Sequence, residues 1–342
     1  MTTVSKPKRG FLFWLKRIVT GFLIFILALI VTIFAGGALV RAQVKANYPP
    51  PGQLVDVGGY KLHIHCEGEG SPTVVVLAGS GVPSTYYWLI QSEAAKMTRV
   101  CVYDRAGYAW SEEGSGDLSP MGQVEDLEIL LANAGIKAPY ILAGHSYGGY
   151  VARLYAQAHP EAVAGLVMID SAHEDQWTNY PQSIQDMAKQ MYSGPNKPFN
   201  VFLMGFLRSL QTVLPVSDPM VEYFPSDVAE TLTAVRKLHP LNIYTVKAEV
   251  SDMALGKSPR VLHLGDIPMI VITHGVPVEL MGQSDEANAG FERVNLEMQT
   301  RLLSLSANVR QVFAEESNHD ELPVKQADLV VEALNDLLSG SR

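Results

Sequence analysis

Residues 141–160, ILAGHSYGGYVARLYAQAHP, change their periodicity in mid-stretch. Ile141, Leu142 and Ala143 form a short apolar run suited to a buried strand. Val151, Leu154, Tyr155 and Ala158 then recur at i, i+3, i+4 and i+7 of an amphipathic helix that Pro160 closes. Ser146 stands at the junction, with Gly144 and Gly148 two residues to either side. A strand that turns so sharply into a helix leaves no room for side chains at those two positions, and glycine meets that demand. The junction therefore constrains the fold to one in which a buried strand feeds straight into a helix lying on its sheet.

The rest of the chain keeps the same rhythm. TVVVLAGSG (73–81), RVCVYDRAG (99–107), GLVMIDS (165–171), IPMIVITHG (267–275) and NVRQVF (308–313) read as strands. Helical spacing falls over 84–97, 121–134, 286–305 and 323–338. Alternation of buried strand and helix predicts a mostly parallel sheet covered on both faces. Ahead of it, LVDVGGYKLHIHCEGEG reads as two short strands around a Gly58–Gly59 turn. The rhythm breaks between Ser171 and Gly265, where helix-like pieces, prolines that include Pro181, Pro195, Pro198, Pro215 and Pro219, and the apolar run FNVFLMGFLRSLQTVL (199–214) predict a mainly helical insertion.

Residues 18–40 contain no charged side chain, and as a helix they would span about 34 Å against a hydrocarbon layer of ~30 Å. The run exceeds the apolar core of a secretory signal, although small residues at Ala35–Ala38 leave cleavage open. Five positive residues precede it and Arg41 and Lys45 follow, which predicts a single-pass anchor with a cytoplasmic N-terminus and an extracytoplasmic globular part. The net charge is −9 and the first 45 residues carry +7, so the remainder carries −16. A globular part that acidic repels phosphate backbones, which excludes nucleic acid as an expected partner. The expected organisation is a cytoplasmic tail (1–17), a membrane helix (18–40), a proline-rich linker (41–52), a first core segment (53–170), a helical lid (171–265) and a second core segment (266–342).

Gly144-His145-Ser146-Tyr147-Gly148 is the G-x-S-x-G pattern of a nucleophile elbow, which presents a serine hydroxyl on a strained turn and aims the following amide at developing negative charge. With LAGSG after the third strand, YDRAGYAWS after the fourth and SNHDELP after the last, residues 53–342 resemble the α/β-hydrolase family. The resemblance implies an eight-stranded, mostly parallel sheet with helices on both faces. It also implies a serine nucleophile, an acid and a histidine in that chain order. Ser146 is the expected nucleophile and His319, after the last strand, the expected base. The acid is Asp170, at the end of the strand before the insertion, or Glu279, after the next strand, where Pro277 and Val278 stand in place of the family's acid. The amides of Ser80 and Tyr147 are the expected oxyanion donors. Asp104 and Arg105 are expected to fix a loop, and His63 and His65 to form a solvent-facing pair with no metal between them.

The resemblance also sets Cys66 beside Cys101, leaving a disulfide or two buried thiols as alternatives. It makes the insertion a lid over an apolar pocket, in which Phe199, Phe202, Met204, Phe206 and Leu207 line an acyl site, touch the membrane or form the lid's own core. The expected activity is cofactor-independent cleavage of an ester, thioester or amide, on a small, hydrophobic acyl substrate. An acyltransferase of the same fold and an inactive membrane-tethered binding domain are the alternatives. Ser146 argues against the branches of the fold that use a carboxylate nucleophile, the dehalogenases and epoxide hydrolases.

Overall fold

The computed structural model describes residues 10–340 except 115, 193–197, 216–217 and 240–242. Eight strands form one sheet: β1 (Gln53–Asp56), β2 (Lys61–Glu67), β3 (Thr73–Leu77), β4 (Val100–Asp104), β5 (Tyr140–His145), β6 (Val163–Ile169), β7 (Met269–His274) and β8 (Val309–Ala314). Their spatial order is β1-β2-β4-β3-β5-β6-β7-β8. β2 runs antiparallel to both β1 and β4, and every other pairing is parallel. β3, β4, β5 and β7 are buried along their whole length, as strands covered on both faces must be.

Alternate side chains of these strands feed two cores. Val75, Leu77, Cys101, Tyr103 and Leu142 point to one face, and Val74, Val76, Val100, Val102 and Ile141 to the other. After the long N-terminal helix α1 (Phe11–Asn47), helix α2 (Trp88–Ala94) follows β3, α3 (Pro120–Asn133) follows β4 and α4 (Tyr147–Ala158) follows β5. The first face is covered by α3 and α4, whose Leu127, Leu131, Val151 and Leu154 are buried. The chain from β6 to β7 carries α5 (Gln176–Asn179), α6 (Gln182–Tyr192), α7 (Pro198–Val213), α8 (Ser226–Val235) and α9 (Ile243–Ala254). Then α10 (Asp285–Leu302) leads to β8, and α11 (Leu322–Lys325) and α12 (Ala327–Gly340) end the chain. Ile90 of α2 and Val330 and Leu334 of α12 close the second face.

Differences from the sequence reading lie at element ends. α1 is helical as far as Asn47, so most of the predicted linker continues the apolar helix, and its C-terminal Val44 is buried against Trp110 and Val235. The final helix is split at Gln326, whose φ of −123° interrupts the helical path between α11 and α12. α1 is long and apolar enough to cross a membrane. The side chains of Phe199 and Met204 lie outside the described residues.

Cys66 and Cys101 face each other across the antiparallel β2–β4 pair and form a disulfide. The bond ties the antiparallel edge to the parallel core across 35 residues of chain. Replacing both cysteines by serine is expected to lower stability by about 2–4 kcal/mol, seen as a reduced melting temperature of the full chain in detergent.

Candidate active site

At the junction of β5 and α4, Ser146 takes φ 52° and ψ −123°, a strained setting for a residue with a side chain. The neighbouring glycines are required by backbone, not by flexibility. A Cβ on Gly148 would lie 2.2 Å from the Leu77 carbonyl oxygen, and one on Gly144 2.4 Å from the Cα of Gly149. A Cβ on Gly149 would strike the Ser171 hydroxyl at 2.4 Å, so the loop after β6 also closes onto this turn. The Ser146 carbonyl accepts the Ala172 amide at 2.8 Å, and the Ser146 amide donates to Ile169 at 3.1 Å. The serine is thus fastened directly to the segment that carries Asp170.

His319 lies between the two. Its Nε2 is 2.9 Å from Ser146 Oγ and its Nδ1 is 2.5 Å from Asp170 Oδ2. A carboxylate only accepts, so Nδ1 carries the proton and Nε2 is left with its lone pair toward the serine hydroxyl. Asp170 is buried and sits at φ 43° just beyond β6. Glu279 is exposed and is not bonded to His319.

Asp170 has a second imidazole. His274, at the end of β7, gives Nδ1–H to Asp170 Oδ2 at 2.7 Å and its amide to Oδ1 at 3.2 Å. Its Nε2 lies 3.0 Å from Glu292 of α10. Both ring nitrogens face carboxylates, so the ring is an imidazolium: burial alone would lower its pKa, but hydrogen bonds to Asp170 and Glu292 raise it to about 10. Burial would likewise raise Asp170, yet the two imidazole donors hold it well below the usual carboxylate range. His319 goes the same way as His274: burial lowers it, and the bond to Asp170 leaves it above the ordinary imidazole value.

His145 behaves oppositely. Its Nε2 donates to the His319 carbonyl at 3.0 Å, and its Nδ1 accepts the Tyr87 hydroxyl at 2.8 Å, which in turn accepts the Gly79 amide. Burial pushes its pKa down to about 3, so it stays neutral and holds the His319 backbone in place.

The loop after β3 is held from three sides. Arg105 gives Nη2–H to the Gly79 carbonyl at 2.9 Å and Nη1–H to that of Ala78, while its Nε–H meets Glu249 of α9 at 2.7 Å. Glu249 also accepts the hydroxyls of Tyr108, at 2.9 Å, and Ser80. Burial would lower the Arg105 pKa, and the Glu249 carboxylate more than reverses this. The amides of Gly79 and Gly81 donate to Tyr87 and Tyr108, whereas among the described residues that of Ser80 has no acceptor. The Tyr147 amide is the first of α4, one of the N–H groups a helix cannot satisfy internally.

Ser80, Ser146, Tyr147, Asp170 and His319 all border one cavity of about 340 Å³. Its walls are mainly apolar, with Trp177, Tyr180, Ile184 and Met187 from α5, α6 and the turn between them, and Val250 and Met253 from α9. Asp104 fixes a loop as expected, accepting the Ser84 amide at 2.7 Å and lying 2.8 Å from His63 Nδ1. His63 is buried beneath Trp110, not solvent-facing, because its second nitrogen finds the Pro51 carbonyl. The sequence reading missed His274, Glu292 and Glu249. Only His274 carried a signal, standing at the end of a buried strand within the stretch 273–286 that was searched for an acid.

Comparison with known proteins supports the same fold. A family model described as the alpha/beta hydrolase fold matches residues 72–228. An uncharacterized protein of Bacillus subtilis, YbdG, is 34% identical over 140 residues, 40% of this chain and 43% of that protein. The chain therefore spans less than half the length of that relative. Among solved structures, a mutant epoxide hydrolase from Bacillus megaterium superposes with TM-score 0.63 at 20% identity, covering 84% of this chain and all of that one. An esterase from Exiguobacterium antarcticum does so with TM-score 0.56 at 14% identity, covering 84% and 98%.

The His274 imidazolium yields a prediction with a definite sign. Its folded pKa lies above the unfolded value of ~6.5, so its contribution to stability is complete below about pH 6.5 and is lost as pH rises through about 10. His274→Leu, which leaves Glu292 without its imidazolium partner and Asp170 with His319 as its one imidazole donor, should lower stability at neutral pH by about 3–5 kcal/mol. Thermal melts across pH should show the gap to the native chain narrowing toward pH 10.

Proposed function

We propose that this chain, which has the α/β-hydrolase fold, is a membrane-anchored serine hydrolase that cleaves an ester, thioester or amide through an acyl-enzyme. The observation that carries the reading is the continuous hydrogen-bonded path Ser146–His319–Asp170 at the edge of a largely apolar cavity. In this reaction His319 Nε2 takes the hydroxyl proton as Ser146 Oγ attacks the carbonyl carbon. The resulting oxyanion lies at the Ser80 and Tyr147 amides, whose preorganised dipoles stabilise it without reorganising water. Collapse breaks the bond to the leaving group, which departs with the proton from His319. Water then enters, gives its proton to the same nitrogen and releases the acid. Asp170 keeps His319 in the required tautomer and stabilises the imidazolium formed at each step.

A serine at position 146 favours this chemistry over that of the epoxide hydrolases sharing the fold, which need a carboxylate there. The cavity walls favour a hydrophobic acyl group. Helix α1 as an anchor, with the site outside the cytoplasm, accords with the positive residues ahead of the apolar span and with the disulfide, a bond of oxidising compartments.

A fluorophosphonate probe is expected to label the native chain and not Ser146→Ala; equal labelling of both overturns the reading. Asp170→Asn should reduce kcat on a short-chain aryl ester by ~10³–10⁴-fold, whereas Glu279→Gln should leave it nearly unchanged. The acid limb of kcat/KM against pH reports His319. Because its pKa is raised, half-activity on that limb should fall above the ordinary imidazole value of ~6.5.

A further inference from the structure

Helix α7 of the insertion lies along α1, not over the cavity. The Phe34 ring meets Phe202 at 5.9 Å and Phe206 at 6.4 Å between centroids. One turn further, Gly37 rests on Ser209, so close that a Cβ on the glycine would come to 3.0 Å from that of the serine. Beyond that, Arg41 donates to the Thr212 hydroxyl at 3.4 Å. Contacts advance in the same direction on both helices, so the two run side by side and parallel.

Charge is segregated along this seam. Arg208 is the one charged residue among the 16 of α7, and it is paired with Glu113 at 2.8 Å and with His239 near the Arg41 end. Toward the opposite end, Phe202 and Leu203 are 50% and 38% exposed. Phe34 precedes Arg41 by seven residues, about 10 Å along a helix, which falls inside one ~15 Å half of a hydrocarbon layer. Gly205 and Ser209 stand one turn apart on α7 and face Phe34 and Gly37, the small-residue contact that lets helices pack closely in lipid. In water, Phe202 and Leu203 would only extend the exposed apolar surface of α1.

We propose that α7 is a second membrane element, with lipid acyl chains of the leaflet in which α1 ends covering its Phe202–Leu203 face and water reached at Arg208. The inference rests on α1 spanning the bilayer. The insertion is then held at two points, by α7 in the lipid and by Glu249 of α9 on the loop that carries Ser80.

The test uses the full chain in phosphatidylcholine–phosphatidylglycerol vesicles, with a nitroxide on Phe202→Cys, Leu203→Cys, Ile24→Cys or Leu262→Cys. Both native cysteines are in the disulfide and do not compete for label. Power saturation should show the labels at 202, 203 and 24 relaxed several-fold more by oxygen than by a water-soluble nickel chelate. Leu262, 76% exposed in a loop before β7, should show the reverse. Labels at 202 and 203 that follow Leu262 while Ile24 stays in lipid overturn the inference alone. A water-accessible label at 24 overturns the anchor itself, and the inference with it. Two positions on α7 are labelled so that one misfolded variant does not decide the outcome.

Discussion

The buried Asp170 carboxylate is the point on which the local structure turns. Moving a carboxylate out of water costs several kcal/mol unless donors replace the solvent. Here three donors come from two parts of the chain: His319 after β8, and the ring and amide of His274 at the end of β7. The carboxylate in turn sits on the loop whose Ala172 amide is bonded to the Ser146 carbonyl. The last three strands and the elbow are therefore fixed relative to one another by one side chain. Its backbone, at positive φ, is held in a setting that the surrounding bonds over-determine.

A second buried charge pair organises the other side of the cavity. Arg105 and Glu249 are both nearly inaccessible to solvent, and each uses its remaining hydrogen-bonding capacity: the guanidinium on the Ala78 and Gly79 carbonyls, the carboxylate on the Ser80 and Tyr108 hydroxyls. A pair so placed adds little net stability compared with apolar residues of the same volume. What it supplies is position. The loop that offers the Ser80 amide is set by the same two residues that seat α9 above it, so the insertion and the proposed oxyanion site share one geometry.

The parallel sheet, the elbow and the helical insertion were legible in the sequence because each rests on local periodicity or on a steric demand for glycine. The Ser146 turn is an example, since Gly144 and Gly148 are required by backbone atoms four or five residues away or at the end of the adjacent strand. The long-range polar partners were not legible. Glu249 stands in a helix 144 residues from Arg105, and nothing in its neighbours distinguishes a buried carboxylate from an exposed one. His274 was passed over because the turn after β7 was searched for an acid. With Asp170 at the end of β6, that position instead carries the cation that faces it. His63 was misjudged from strand alternation alone, which gives the face but not what covers it. Trp110, from a distant loop, closes over the ring.

Three histidines linked through Asp170 and the His319 backbone then separate by hydrogen-bond accounting. His145 meets a carbonyl on one nitrogen and, on the other, the Tyr87 hydroxyl, which already accepts the Gly79 amide and gives its own proton to the ring; a neutral ring satisfies that set completely, and burial keeps it so. His274 meets a carboxylate on each nitrogen, which only a doubly protonated ring satisfies. Neither can change its proton without leaving a buried group unpaired. His319 has a carboxylate on one side and a hydroxyl on the other, and a hydroxyl serves as donor or acceptor alike. Of the three, it alone keeps its partners in both protonation states. A proton shuttle requires that property, and at this site it follows from the partners each ring was given, before any substrate is considered.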